Sequence, residues 1–147
     1  MNEMGDRLGH ALARHRHVHH RYIQPRVKAL GVFRGQPPVL LTIAEQPGIS
    51  QVELARCVHV QPPTLARTID RIEEANFVTR TSDPDDHRIN RISLTDHGRE
   101  TVKQLRVVHD AEHREIFSVL TVTEQEQLCS LLDRITERYE SIIEETP

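Results

Sequence analysis

Residues 81–98 read TSDPDDHRINRISLTDHG, and within them Asp86, Arg88 and Arg91 stand in the spacing Asp-x-Arg-x-x-Arg. A carboxylate two residues before an arginine can hold its guanidinium in a charge-assisted pair. An arginine preset in that way suits a narrow, phosphate-lined minor groove. A second set precedes it: Gln61, Thr64, Arg67, Thr68 and Arg71. On a helix these residues fall on the side away from Leu65, Ile69 and Ile72, or at its exposed N-terminal end. Hydroxyls, an amide and arginines on one exposed face fit the major groove, where arginine can pair bidentately with guanine. The same side chains on an isolated helix would equally serve as ordinary solvated polar groups.

Histidine offers a third chemistry. The chain has 10 histidines, and two pairs, His15 with His19 and His109 with His113, have the i, i+4 spacing that puts both imidazoles on one helix face. Such a pair can contribute to a divalent-metal site, or it can change charge near neutral pH. The third and fourth ligands of a metal site are not evident, so solvated or interfacial histidines are the simpler reading. Cys57 falls on the apolar side of its helix and is expected in the core, Cys129 flanks the apolar stripe of the last helix, and both are expected to be reduced. No glycine-rich phosphate loop, nucleophile elbow or catalytic zinc signature is present, so no enzyme is expected.

The elements that would carry the arginines follow from local rules. Ser50 and Glu53 have capping-box spacing, so a short helix begins there, with Val52, Leu54, Ala55 and Val58 inward and a stop near His59. Pro62 and Pro63 fit only a first turn, and a second helix is expected from Pro62 to Ala75. Asn76 can adopt the left-handed backbone that ends it. Phe77–Thr81 and Arg88–Leu94 then read as paired strands around the turn-rich SDPDDH. Two helices, a tight turn and a charged hairpin make a winged helix-turn-helix.

The flanks are helical. A first helix is expected from Asn2 or Asp6 toward Leu30, with Leu8, Leu12, His15, His19 and Tyr22 on one stripe and a kink or break at Pro25. Pro37 and Pro38 open a short helix from Gln36 to Glu45. Thr95 can cap a long helix reaching about Leu120, and Thr123 with Glu126 suggests a capping box for the last helix. That helix carries a stripe of Leu128, Leu131, Leu132, Ile135, Tyr139, Ile142 and Ile143. The terminal stripes exceed what a small central domain needs, which points to a homodimer.

At 147 residues the chain fits one domain. The expected fold is mainly α with a small β-hairpin wing: a winged helix-turn-helix lobe over residues 34–95, flanked by helical dimerisation segments at 1–30 and 96–145. Aromatic residues are 3% of the chain and tryptophan is absent, so the core must be aliphatic. No apolar run reaches a membrane span and the first residues lack the apolar centre of a signal peptide, so the expected location is the cytoplasm. The formal net charge of −3 argues against nucleic acid until the chain is divided. Residues 96–147 hold 12 acidic and 6 basic side chains, whereas residues 34–95 hold 8 and 7, with Arg67, Arg71, Arg88 and Arg91 on the expected docking side.

Taken in order, Gly35 and Gln36 with PPVLLTI, then PGISQVELARCV, TLARTIDRIEEANFV and DPDDHRINRISLTDHG resemble the MarR family of transcriptional regulators. The likeness covers about residues 34–98 by motif and the flanks by pattern; Asn76 departs from the family's usual glycine. The resemblance implies a dimer intertwined through its first, fifth and sixth helices, bound to a palindromic operator in double-stranded DNA. It also implies a small effector whose pocket lies between the dimer helices and the DNA-binding lobe. Thr64, Arg67, Thr68 and Arg71 would then meet the major groove, Arg88 the minor groove, Asp86 would orient Arg88, and Arg91 would approach phosphate. No cofactor is required. Two alternatives stay open: a metal- or pH-responsive regulator using the histidine-rich helices, and a winged-helix protein-interaction module that does not bind DNA.

Overall fold

The computed structural model describes residues 3–145. In chain order the elements are α1 (Glu3–Lys28), α2 (Gln36–Glu45), β1 (Ile49–Ser50), α3 (Gln51–Cys57), α4 (Pro62–Glu74), β2 (Val78–Ser82), β3 (Asn90–Leu94), α5 (Asp96–Glu115), a 3-10 turn (Phe117–Val119) and α6 (Val122–Glu145). Two compact units divide after Val108. None of the described helices is long and apolar enough to cross a membrane.

The first unit holds the core, which is aliphatic as the composition requires. Val39, Leu40 and Ile43 of α2, Leu54 of α3, and Leu65, Ile69 and Ile72 of α4 are buried with Ile92, Leu94, Val102 and Leu105, and Phe77 supplies an aromatic ring. Ile23 and Val27 bring the end of α1 into the same cluster. The three strands form an antiparallel sheet in the order β1-β3-β2. Val78 pairs with Leu94 and Ser82 with Asn90, while the two-residue β1 sets Ser50 against Arg91. A two-residue strand leaves no periodicity to read, so β1 is not visible in the sequence.

Several expectations are corrected. Val52 is 63% exposed and Cys57 is exposed, because the two turns of α3 bury only a narrow face through Leu54 and Ala55. Helix α1 runs unbroken through Pro25 to Lys28, so the proline does not divide it; Asn2 lies outside the described residues. Helix α5 stops at Glu115, short of Leu120, and tightens into the 3-10 turn, where the amide of Leu120 bonds the carbonyl of Phe117. The capping box of α6 is Thr121 and Glu124, two residues earlier than expected: the Glu124 amide donates to Thr121 Oγ1 and the Thr121 amide to Glu124 Oε2.

In the second unit Gln125 ties α6 to the preceding turn, its side-chain amide donating to the carbonyls of Phe117 and Leu120. None of the 24 residues of α6 is buried, and Leu128, Leu131, Leu132, Tyr139, Ile142 and Ile143 are exposed. The apolar stripe of this helix is present and uncovered within one chain.

Candidate nucleic-acid interface

Helix α4 is seated by its apolar face, on which Leu65, Ile69 and Ile72 are each fully buried. Burial of that size is worth about 1.5–3 kcal/mol per side chain, which fixes which edge faces out. Thr64, Arg67 and Arg71 lie exposed on that edge. Thr68 beside them is half-buried, its hydroxyl turned back to donate to the Thr64 carbonyl at 3.0 Å. Gln61 is the N-cap, exposed and without a capping side-chain bond, followed by Pro62 and Pro63 in the first turn. At the far end Asn76 takes φ 59°, and the amides of Asn76 and Phe77 bond back to the carbonyls of Glu73 and Ile72, both at 2.8 Å. This is the Schellman arrangement that glycine usually makes.

Two of the acidic residues of α4, Asp70 and Glu73, are engaged by an arginine of the sheet. Arg80 on β2 pairs with Asp70, and its Nε lies 3.3 Å from Glu73 Oε2; its backbone amide donates to the same glutamate. The grip docks α4 onto the sheet and offsets the charge of both carboxylates.

The wing is built around Asp83, which is buried although the loop is highly charged. One of its oxygens accepts the amides of Asp85 and Asp86 at 2.8 and 3.1 Å, and the other accepts Arg91 Nε at 2.6 Å. The Arg91 side chain, 38% exposed, also reaches the Gly48 carbonyl at 3.4 Å and Glu53 at 3.7 Å. Arg91 is therefore engaged by acceptors within the protein, with part of its side chain still exposed. Hydrogen bonding to Arg91 and to the two loop amides holds the Asp83 carboxyl below its ordinary range, and Asp83 in turn raises Arg91. Glu53 is lowered chiefly by the Ser50 hydroxyl and then by the Ser50 amide, because it closes the capping box of α3.

Arg88 behaves differently. Its side chain is 93% exposed, and Asp86 Oδ1 receives both its amide, at 3.0 Å, and its Nε, at 3.3 Å. Arg88, Ile89 and Asn90 share the wall of one groove of about 470 Å³ with Ser50, Gln51, Val52 and Pro62. The wing tip and the start of α4 thus flank a single open channel, and Val52 lines it instead of the core. Sequence reasoning placed Asp86 and Arg88 correctly in relation to each other but missed Asp83. The signal was there: an aspartate whose side chain can take the amide two residues on is a turn former.

The histidine pairs are less developed. The rings of His15 and His19 stack with centroids 6.0 Å apart, and among the described residues no group of three or more His, Cys, Asp or Glu is placed to hold a metal ion. His113 lies edge-on to Phe117 at 6.2 Å.

A family model described as MarR family matches residues 34–89, the stretch running from the entry to α2 through the wing tip. The chain carries a MarR-family domain. Solved MarR-type structures extend the likeness beyond that domain. The transcriptional regulator SlyA superposes with a TM-score of 0.82 at 26% identity, covering 99% of this chain and 100% of its own. The repressor CouR, bound to a 23-mer DNA duplex, gives 0.81 at 27% identity over 92% and 96%. A mutant MarR from E. coli complexed with operator DNA gives 0.79 at 26% identity over 87% and 92%. MarR-family proteins are DNA-binding transcription regulators, not enzymes.

Proposed function

We propose that this chain is a sequence-specific transcriptional regulator, acting as a homodimeric repressor on an inverted-repeat operator. The observation that carries the reading is a channel lined by Pro62 at the start of α4 and by the almost fully exposed Arg88 of the wing, with Thr64, Arg67 and Arg71 exposed farther along α4 and the carboxylates of Asp70, Glu73, Asp83 and Asp86 engaged by arginines. Thr64, Arg67, Thr68 and Arg71, with Gln61 at the helix start, meet base edges and phosphates in the major groove. Arg88 enters the minor groove, held by Asp86. CouR and the E. coli MarR mutant, both solved on DNA, support the same mode for a chain of this fold.

Two further parts of the proposal rest on packing. The uncovered stripe of α6 calls for a second copy, and a dimer gives two recognition helices about one DNA turn, roughly 10 base pairs, apart. A cavity of about 260 Å³ has an apolar floor from Ile43, Ala44, Pro47, Leu94 and Val102 and a rim of Arg99, Lys103 and Arg106. It offers a small apolar effector with an anionic group a place between α2, β3 and α5, the last two leading directly to the wing. No cofactor is needed for DNA binding in this scheme.

The test is a selection of random-sequence duplexes by the purified protein, followed by footprinting on the enriched sequence. An inverted repeat with half-sites one turn apart is the expected product. Enrichment of no repeat would remove the DNA reading and favour a protein-interaction module.

A further inference from the structure

A continuous set of bonds runs from the helix-turn-helix to the tip of the wing. It begins at Glu53, which caps α3 through the Ser50 amide and hydroxyl and faces Arg91 at 3.7 Å. Arg91 on β3 also reaches the Gly48 carbonyl and donates to Asp83. Asp83 gathers the amides of Asp85 and Asp86, and Asp86 then receives the amide and Nε of Arg88. The loop is closed at its base by the amide of Asp83 on the Ile89 carbonyl and across its tip by the amide of Ile89 on the Asp86 carbonyl, both at 2.9 Å.

We propose that Asp83 and Arg91 are positioning residues for DNA binding: they fix the wing on the capping box of α3 so that Asp86 can aim Arg88, and Arg91 does not itself contact phosphate. The inference rests on the DNA-binding reading for its consequence, but not for its geometry. Charge and exposure separate the two arginines. Arg88 is 93% exposed with one carboxylate beside it, whereas Arg91 is 38% exposed with two carboxylates and a carbonyl around its guanidinium. Nε and Nη1 of Arg91 are turned to acceptors within the protein, and withdrawing the guanidinium toward a phosphate would leave the buried Asp83 without its counter-charge.

The two roles predict opposite signs for one substitution. If Arg91 contacts phosphate, Asp83→Ala frees it and removes a negative charge, so DNA binds more tightly. If Asp83 and Arg91 position the wing, Asp83→Ala weakens binding by about tenfold, Arg91→Ala does the same, and the double variant is no weaker than either single one, since residues acting through one contact are non-additive. The salt dependence discriminates too, because loss of a phosphate contact lowers the slope by about one and loss of a positioning contact leaves it unchanged. The duplex for these titrations is the one enriched by the wild-type protein.

A readout free of DNA keeps this inference separate from the proposed function. Hydrogen exchange of the full-length protein should show faster exchange at the Asp85, Asp86 and Arg88 amides in Asp83→Ala and Arg91→Ala, with α4 still protected, which also shows that the variants fold. Unchanged exchange at those amides, tighter binding by Asp83→Ala, or additive losses in the double variant would each overturn the assignment. Faster wing exchange in a protein that selects no duplex would leave the positioning geometry standing and remove only its role in DNA recognition.

Discussion

Asp83 and Arg91 face each other across the base of the wing with Oδ2 and Nε 2.6 Å apart, on a carboxylate whose second oxygen already holds two loop amides. This pair makes a hairpin tip carrying Asp83, Asp85 and Asp86 compatible with phosphate nearby, because the most buried of the three charges is cancelled from within.

The pair gives the protein an acid-side weakness. Asp83 and Glu53 both have carboxyls lowered on folding, the first mainly by Arg91 and the second mainly by the Ser50 hydroxyl. A lowered folded value means that the stabilisation is complete above the ordinary carboxylate range, about pH 4, and is lost as pH falls through the lower folded values. Melting midpoints followed from neutral to acid pH should therefore fall more steeply for the wild type than for Asp83→Ala below about pH 4. Parallel falls would show that Asp83 gains nothing from folding.

Arg88→Ala should leave the melting temperature unchanged, since the side chain is almost wholly in solvent. Its affinity for the selected duplex should drop about tenfold, or 1.4 kcal/mol. Titration and melting on the same preparation separate the two effects, and wild-type affinity in this variant would exclude Arg88 from the interface.

Gly98 is required for space and not for backbone freedom. A Cβ there would overlap the carbonyl oxygen of Phe77, which accepts the Thr95 amide at 3.0 Å where α5 begins. Thr95 adds its hydroxyl to the Asn76 carbonyl at 2.6 Å and accepts the Gly98 amide at 3.0 Å, so the backbone has no room to yield. Gly98→Ala should destabilise the protein by about 1–3 kcal/mol or more, read as a lower denaturant midpoint.

On α6, Leu131 is 52% exposed in the single chain and lies on the same stripe as Leu128 and Ile135. If a second copy covers the stripe, Leu131→Glu places a charge in that contact and sedimentation should shift from dimer to monomer at micromolar concentrations. An unchanged sedimentation coefficient would mean that the stripe is not the dimer contact.

What could be read in advance follows a physical division. Ser50 with Glu53, the prolines at 62 and 63, Asn76, and the spacing of Leu65, Ile69 and Ile72 are local signals, and the structure realises each of them. The start of α6 was ambiguous because Thr121–Glu124 and Thr123–Glu126 offer the same pattern two residues apart, and only the preceding 3-10 turn selects the first. The internal partners of Arg91 were not legible for another reason. Its acceptors are Asp83, Glu53 and Gly48, and the last two are brought to it by pairing β1 with β3, a contact with no periodicity to announce it.

Glu53 serves two neighbours at once: it closes the first turn of α3 and faces the arginine at the foot of the hairpin. Hairpin and helix are consequently not interchangeable cassettes. A chimaera that grafts another regulator's whole β2–β3 hairpin, strands included, must bring an arginine at the position of Arg91 able to meet this glutamate, or else exchange α3 with it.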